Sequence, residues 1–416
     1  MEQTPKANRV HIGFFGRCNA GKSTLINMLT DQPVSLVSEV AGTTTDPVSK
    51  SMEILPLGPV VITDTAGIDD TTELGALRME KTEEVVKKIN LAVYVLRTDE
   101  EPTSDDMHWL GLLKQNNVPI ALFINEINTD NTDNRDKVES NTSDYIKSHK
   151  GLGDLATVIG SADFTSNVKR LELLDLLGGL TPLDVEGEQT LLQGLVEEGD
   201  AIILVCPIDS AAPKGRLILP QVQTIREILD YKGLALVCQT EELPSMINSL
   251  THPPKMVICD SQAFDRVDEL TPDTIPLTSF SILMARFKGK LQDLVAGVNA
   301  IKNLKPGSKV LISEGCTHRR QCDDIGTVKI PNLLKKQGHT DLQLEFTSGG
   351  AFPKDVSQYD LIIHCGACML TRREVLRRIE CAVVQGTPIV NYGVLIAALH
   401  GILERAISPF LEELKE

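Results

Sequence analysis

Val10-His11-Ile12-Gly13-Phe14-Phe15-Gly16-Arg17-Cys18-Asn19-Ala20-Gly21-Lys22-Ser23-Thr24-Leu25-Ile26-Asn27-Met28-Leu29 is the stretch that sets the architecture. It opens as a buried apolar strand, passes from Gly16 to Ser23 through the pattern G-x-x-x-x-G-K-[ST], and continues with the periodicity of an amphipathic helix. Two glycines let backbone N–H groups curl around a β-phosphate, and the following helix N-terminus adds partial positive charge. Lys22 reaches the β- and γ-phosphates, and Ser23 offers a hydroxyl to Mg²⁺. Strand, loop and helix in this order predict an α/β domain that holds a nucleotide.

Downstream segments supply the rest of such a site. Val40-Ala41-Gly42-Thr43-Thr44-Thr45-Asp46 puts Thr44 where a switch needs a hydroxyl to complete the Mg²⁺ shell beside the γ-phosphate. Val60-Val61-Ile62-Thr63-Asp64-Thr65-Ala66-Gly67 reads as a strand ending in Asp-x-x-Gly, with Asp64 near the metal and the Gly67 N–H near the γ-phosphate. Through Asn19, Gly42-Thr43-Thr44 and Asp64-Thr65-Ala66-Gly67 the chain resembles the translation-factor-like GTPases, most closely their Era/TrmE branch. The resemblance implies GTP cradled by Gly16, Asn19, Ala20, Gly21, Lys22, Ser23 and Thr24, with Mg²⁺ on Ser23, Thr44 and Asp64 and K⁺ beside the phosphates on Asn19. Ile68 follows the Asp-x-x-Gly motif where Ras-type relatives carry a water-orienting Gln. Hydrolysis is therefore expected to be slow and to depend on K⁺, another residue or a partner. Glu73, in the acidic loop beyond, is the water-positioning candidate, against its reading as a solvated carboxylate.

Base recognition departs from the branch. Asn125-Glu126-Ile127-Asn128 stands where Asn-Lys-x-Asp is usual. The amide of Asn128 accepts only through its oxygen, whereas a carboxylate accepts from both guanine N1–H and N2–H₂. Losing one charged hydrogen bond costs about 1.5–3 kcal/mol. Asn125 and Asn128 stay the expected base contacts, joined by the Ser161-Ala162 backbone at the end of the strand Ala156-Thr157-Val158-Ile159-Gly160. GTP remains the expected nucleotide.

A chain of 416 residues exceeds one core, so two or three domains are expected. No apolar run spans a bilayer, and Met1-Glu2-Gln3-Thr4-Pro5-Lys6-Ala7-Asn8 lacks the apolar core of a secretory signal. Nine cysteines, an odd number, suggest reduced thiols or metal ligands in the cytoplasm rather than a disulfide framework. A net charge of −16 disfavours a nucleic-acid surface, so protein and small-molecule partners are expected, with neither nucleic acid nor membrane.

The expected architecture is α/β: a P-loop domain over 1–178, then two smaller parallel-sheet α/β domains over 183–265 and 270–416. A helix over 168–177 closes the first at Gly178-Gly179. In the second, strands at Ala201-Ile202-Ile203-Leu204-Val205, Leu234-Ala235-Leu236-Val237 and Met256-Val257-Ile258 alternate with helices over 219–231 and 243–250. Cys206, Cys238 and Cys259 at the strand ends read as small buried hydrophobes. So short a sheet exposes an edge, and pairing with a second copy would cover it, which predicts a homodimer.

The third segment predicts a long helix or helix pair over 279–304 and two strands that run straight into cysteine motifs. Lys309-Val310-Leu311-Ile312-Ser313 leads to Cys316-Thr317-His318, and Tyr359-Asp360-Leu361-Ile362-Ile363 leads to His364-Cys365-Gly366-Ala367-Cys368. If the strands are parallel neighbours, Cys316, Cys365 and Cys368 converge at their carboxyl ends, where open sheets bind ligands. Residues of these types suit a Cys₃His zinc site with His318 or His364, an iron–sulfur cluster on three cysteines, or a redox dithiol. The helix after the motif carries Arg372, Arg373, Arg377 and Arg378, a positive face toward an anionic cluster or acidic partner, or a solvated face.

An Era/TrmE-like GTPase followed by Cys-x-His and a distant His-Cys-x-x-Cys resembles, along essentially the whole chain, the HydF family of [FeFe]-hydrogenase maturation GTPases. The resemblance implies a [4Fe-4S] cluster on Cys316, Cys365 and Cys368, with His318 and His364 in the family signature. It also implies a scaffold that carries a diiron precursor to apo-[FeFe]-hydrogenase, with two radical-SAM maturases as further partners. The contrasting reading is a GTPase assembly factor for RNA or ribosomes with a zinc-binding C-terminal module.

Overall fold

The structure is a computed structural model that describes residues 9–30, 48–54, 57–65, 73–126, 145–149, 151–165, 168–180, 190–208, 217–315 and 324–415. The chain forms two compact units, Met1–Glu188 and Gln189–Glu416.

The first unit is a six-stranded sheet in the order β2-β3-β1-β4-β5-β6. Its strands are β1 (Val10–Phe15), β2 (Val48–Ile54), β3 (Gly58–Asp64), β4 (Leu91–Arg97), β5 (Ile120–Asn125) and β6 (Val158–Ala162). All pairs are parallel except β2 with β3. The central strands are apolar on both faces because helices cover both faces. Phe14 packs with Leu25 and Ile26 on one side, and its neighbour Phe15 with Val86, Ile89 and Trp109 on the other. The helix Arg170–Leu180 runs through Gly178 and Gly179 instead of ending there, because Leu177 and Leu180 are both buried. The Arg170 guanidinium donates to the carbonyls of Met28 and Leu29, at 2.9 and 3.1 Å, near the end of the helix Lys22–Thr30.

The second unit holds two four-stranded parallel sheets, β10-β9-β7-β8 and β12-β11-β13-β14. The first comprises β7 (Ala201–Val205), β8 (Leu234–Cys238), β9 (Met256–Cys259) and β10 (Leu277–Ser279). The second comprises β11 (Lys309–Glu314), β12 (Gln343–Ser348), β13 (Leu361–His364) and β14 (Ile389–Asn391). One apolar core runs through both sheets. The strand β10 lies beyond the expected boundary at 265; three residues are too few to show a strand period, and Leu277 joins the sheet because it is fully buried against β9. Of the long helix or helix pair expected over 279–304 the pair forms, Phe280–Lys288 and Leu291–Ala296, separated at the extended Gly289 and followed by a tight turn Gly297–Asn303. Cys206 and Cys259 are buried and Cys238 half-buried, in keeping with small core residues. Among the described residues, no helix is long and apolar enough to cross a membrane.

Candidate functional site

The P-loop leaves the carboxyl end of β1, the strand between β3 and β4. Its two glycines are there for room as well as conformation. Gly16 has φ +137° and a Cβ there would sit 2.6 Å from the Val95 carbonyl oxygen; Gly21 has φ +103° and a Cβ there would sit 2.5 Å from Asn125 Nδ2. Asn19 also adopts left-handed backbone, φ +59°, and its carbonyl accepts from Arg97 Nη1 at 3.2 Å. Ser23 and Thr24 are exposed at the start of the helix, whereas Ala20 and Lys22 are buried. Lys22 Nζ donates to the carbonyls of Gly16 and Arg17, both at 2.8 Å, so the ammonium is held within the loop.

Asp64 ends β3 opposite Phe14. Its Oδ1 is buried without a hydrogen-bond partner. Burial raises the Asp64 carboxyl above its usual range, partly countered by the Lys22 charge. An orphaned carboxylate oxygen that feels the charge of the P-loop lysine fits Mg²⁺, which Asp64 and Ser23 would hold. The raised value has a definite sign: in metal-free protein the folded state keeps this proton more tightly than the unfolded chain. That stability is lost as pH rises from 3.8 through the folded value, leaving at neutral pH a charge that Lys22 only partly compensates. Asp64→Asn is therefore expected to melt above wild type at neutral pH without Mg²⁺, and level with it at acid pH. With GTP and Mg²⁺ the order should reverse. Thermal melts at several pH values check this, and equal melting in both conditions would remove Asp64 from the metal site.

Asn125 links the P-loop to the far side of the pocket: Nδ2 donates to the Ala20 carbonyl at 3.2 Å and Oδ1 accepts from the Phe164 N–H at 3.5 Å. Ser161 and Ala162 end β6 beside Ile124 and Asn125, and the Glu126 N–H donates to the Ala162 carbonyl at 2.9 Å. Two features escaped the sequence reading. Lys169 lies 3.6 Å from the buried Glu126 carboxylate, returning an ammonium near the position where the motif lost one. Arg17 pairs at 3.2 Å with Asp106, which is fully buried and also accepts from the Tyr94 hydroxyl, so the P-loop is anchored from behind. Glu73 is the first residue of the helix Glu73–Lys88, not part of a loop. Thr44, Gly67 and Asn128 lie outside the described residues.

In the second unit β11 and β13 are parallel neighbours, with Ser313 opposite His364. The loops that follow meet. The Gly315 N–H donates to Cys365 Sγ at 3.0 Å, and the Ala367 N–H to the same sulfur at 3.3 Å. Gly315 immediately precedes Cys316, which with His318 lies outside the described residues. Burial pushes the Cys365 thiol up to about 11, with these two N–H donors drawing it back. Burial also raises Cys368, countered by the Lys288 charge. Among the described residues, no group of three or more His, Cys, Asp or Glu gathers for a metal. Two cysteines on one loop, with backbone N–H groups directed at the Cys365 sulfur, are donors of the type that an iron–sulfur cluster or zinc takes, and would supply part of its ligand set.

His364 is buried, and both its ring nitrogens are engaged. Nδ1 is 2.9 Å from the Cys365 carbonyl and Nε2 is 3.2 Å from Arg378 Nη1. Arginine only donates, so Nε2 accepts and Nδ1 carries the proton. Burial and then the Arg378 charge push His364 down to about 4, which keeps it neutral. As a metal ligand it would first have to give up one of these bonds. Arg378 itself is fully buried, contrary to its expected place on a positive helix face. It donates to Glu374 at 2.7 Å and to the Gly349 carbonyl at 2.6 Å, and it lies 5.1 Å from the Phe352 ring centre. Burial would raise Glu374, but Arg377 and Arg378 more than offset this and hold it below the usual range.

The fold and sites together define a P-loop GTPase-type unit joined to a two-sheet unit with a cysteine loop. Residues 11–126 match the family model described as 50S ribosome-binding GTPase, 191–289 that of the hydrogen maturase F dimerization domain, and 292–409 that of the hydrogen maturase F tetramerization domain. The chain belongs to the hydrogen maturase F family, HydF. It is 33% identical, along 121 residues, to the tRNA modification GTPase MnmE of Endomicrobium trichonymphae, covering 28% of this chain and 26% of that protein. It is 33% identical along 185 residues to GTPase Der of Sulfurimonas denitrificans, covering 40% of this chain and 37% of that protein. The chain thus spans between a quarter and two fifths of these two relatives. The crystal structure of Aquifex aeolicus Era bound to GDP and AlF₄⁻ aligns at 24% identity over 43% of this chain and 57% of that one, with a TM-score of 0.35.

Proposed function

We propose that this chain is a GTP-binding and hydrolysing scaffold that assembles a diiron precursor and delivers it to apo-[FeFe]-hydrogenase. The observation that carries this reading is the meeting of two strand-end loops, where Gly315, the neighbour of Cys316, bonds the sulfur of Cys365 in a chain of the HydF family. Cys316, Cys365 and Cys368 hold a [4Fe-4S] cluster, and three thiolates leave one iron with an exchangeable ligand. Two radical-SAM maturases act upstream, in the cytoplasm, where thiols stay reduced. At the other site Lys22, Thr44 and Gly67 act on the γ-phosphate, with Mg²⁺ on Ser23, Thr44 and Asp64 and K⁺ on Asn19. Hydrolysis is slow, with Glu73 the candidate for positioning water. GTP works as a switch: its γ-phosphate orders the Thr44 and Gly67 segments and so changes contacts with the maturases.

The assembly is an oligomer built from a dimer. The strand β8 is an edge of its sheet among the described residues, with Leu234 58% and Val237 42% exposed. A second copy that pairs there would cover both the ladder and these side chains. Val237→Lys is expected to weaken self-association at least tenfold, read by sedimentation velocity; unchanged association would move the interface elsewhere.

The test is anaerobic iron and sulfide analysis with electron paramagnetic resonance of the reduced protein, wild type against Cys365→Ser. Matching iron and sulfide with a cubane signal, lost in the variant, supports the cluster. Loaded protein that then activates apo-hydrogenase supports delivery. Stoichiometric zinc without sulfide would instead favour a GTPase assembly factor for RNA or ribosomes.

A further inference from the structure

Lys288 ends the helix Phe280–Lys288 with its ammonium inside the protein, where the residue is 1% exposed. Nζ donates to the carbonyl oxygens of Ala367, Cys368 and Leu370 at 3.3, 3.1 and 2.7 Å. All three belong to the turn that carries Cys368. Within it Ala367 has φ +54°, a left-handed conformation that a residue with a Cβ adopts at a cost. The helix that carries Lys288 follows β10, so the cation reaches this turn from the segment of the other sheet.

Burying an ammonium is unfavourable unless opposite charge or good acceptors face it. Here the donors are met by carbonyls, and the ionisable groups that act on the ammonium are Cys368 and Cys365, which attract it only as thiolates. Carbonyl dipoles supply part of the compensation. Thiolates holding a cluster would supply the remainder.

We propose that Lys288 is the built-in counter-cation of the cluster pocket, a positioning residue that holds the Cys368 turn and offsets the negative charge of the bound, reduced cluster. This rests on the iron–sulfur reading of the site. A positive charge held beside the cluster favours the form that carries the extra electron, so removing it should make the cluster harder to reduce.

The experiment uses the full-length protein, reconstituted anaerobically with iron and sulfide, as wild type, Lys288→Met, Lys288→Gln and Lys288→Arg. Gln keeps a donor for the carbonyls without the charge, and circular-dichroism melting verifies that each variant is folded. A dithionite titration with mediator dyes, followed by electron paramagnetic resonance, reads the reduced fraction. At the wild-type midpoint, Met and Gln variants should show a reduced-to-oxidised ratio lower by about tenfold, equal to about 59 mV for one electron, while Arg stays near wild type. Neutral variants that fold but retain about a tenth of the wild-type iron, beside a loaded Arg variant, also support the charge. An unchanged ratio in the neutral variants overturns this inference alone. A wild type that takes up no iron and sulfide overturns the cluster reading and this inference with it.

Discussion

Lys22→Ala is expected to weaken GTP binding by about 100-fold, or about 3 kcal/mol, because charge-assisted hydrogen bonds to two phosphates disappear together. The loss is partly buffered. Lys22 Nζ already donates to the Gly16 and Arg17 carbonyls, so phosphate binding exchanges partners for the ammonium instead of creating them from nothing. The side chain is buried, so truncation also opens space under the loop. Titration with a fluorescent GTP analogue measures the loss. The same variant tests the switch: a protein that fails to bind GTP but still exchanges maturases as wild type does would show that the nucleotide does not control partner contacts.

Glu374→Ala should destabilise the unit Gln189–Glu416 by about 3–5 kcal/mol, since it leaves a buried cation without its acid. The Glu374 side chain is 5% exposed and accepts from both Arg377 and Arg378, and Arg378 is wholly buried. At about 2–4 °C per kcal/mol for a unit of this size, its melting should fall by about 6–20 °C in calorimetry. Arg377→Ala should cost much less, because Arg377 is 29% exposed and Arg378 still holds the carboxylate. A Glu374→Ala loss no larger than that of Arg377→Ala would mean that Gly349 and His364 suffice to hold Arg378. The consequence reaches the cysteine loop, because Arg378 fixes the tautomer of His364 and His364 bonds the Cys365 carbonyl.

Features that rest on contiguous residues were legible without coordinates. The stretch from Val10 to Leu29 contains strand, phosphate loop and helix in covalent order, so its geometry follows from local periodicity and two glycines. Two apolar runs that each enter a cysteine motif marked β11 and β13 as strands, but their parallel pairing was only a condition until the structure met it. Short or interrupted elements were less legible: the three-residue strand β10 has no period to read, and Gly178 looks like a helix end until Leu180 is seen buried. Charged residues misled most. A run of arginines after the motif suggests an outward positive face, yet Arg378 points into the core toward His364.

The sequence by itself determined the P-loop, the α/β class and the two cysteine motifs, because each is written in residues that are neighbours along the chain. Tertiary structure alone decided that His364 is engaged at both nitrogens, that Glu374 neutralises a buried arginine, and that Lys288 caps a turn 80 residues away. The physical reason is that the state of an ionisable group depends on the water it loses and the dipoles that replace it. Packing supplies both, and packing joins residues that the sequence keeps apart.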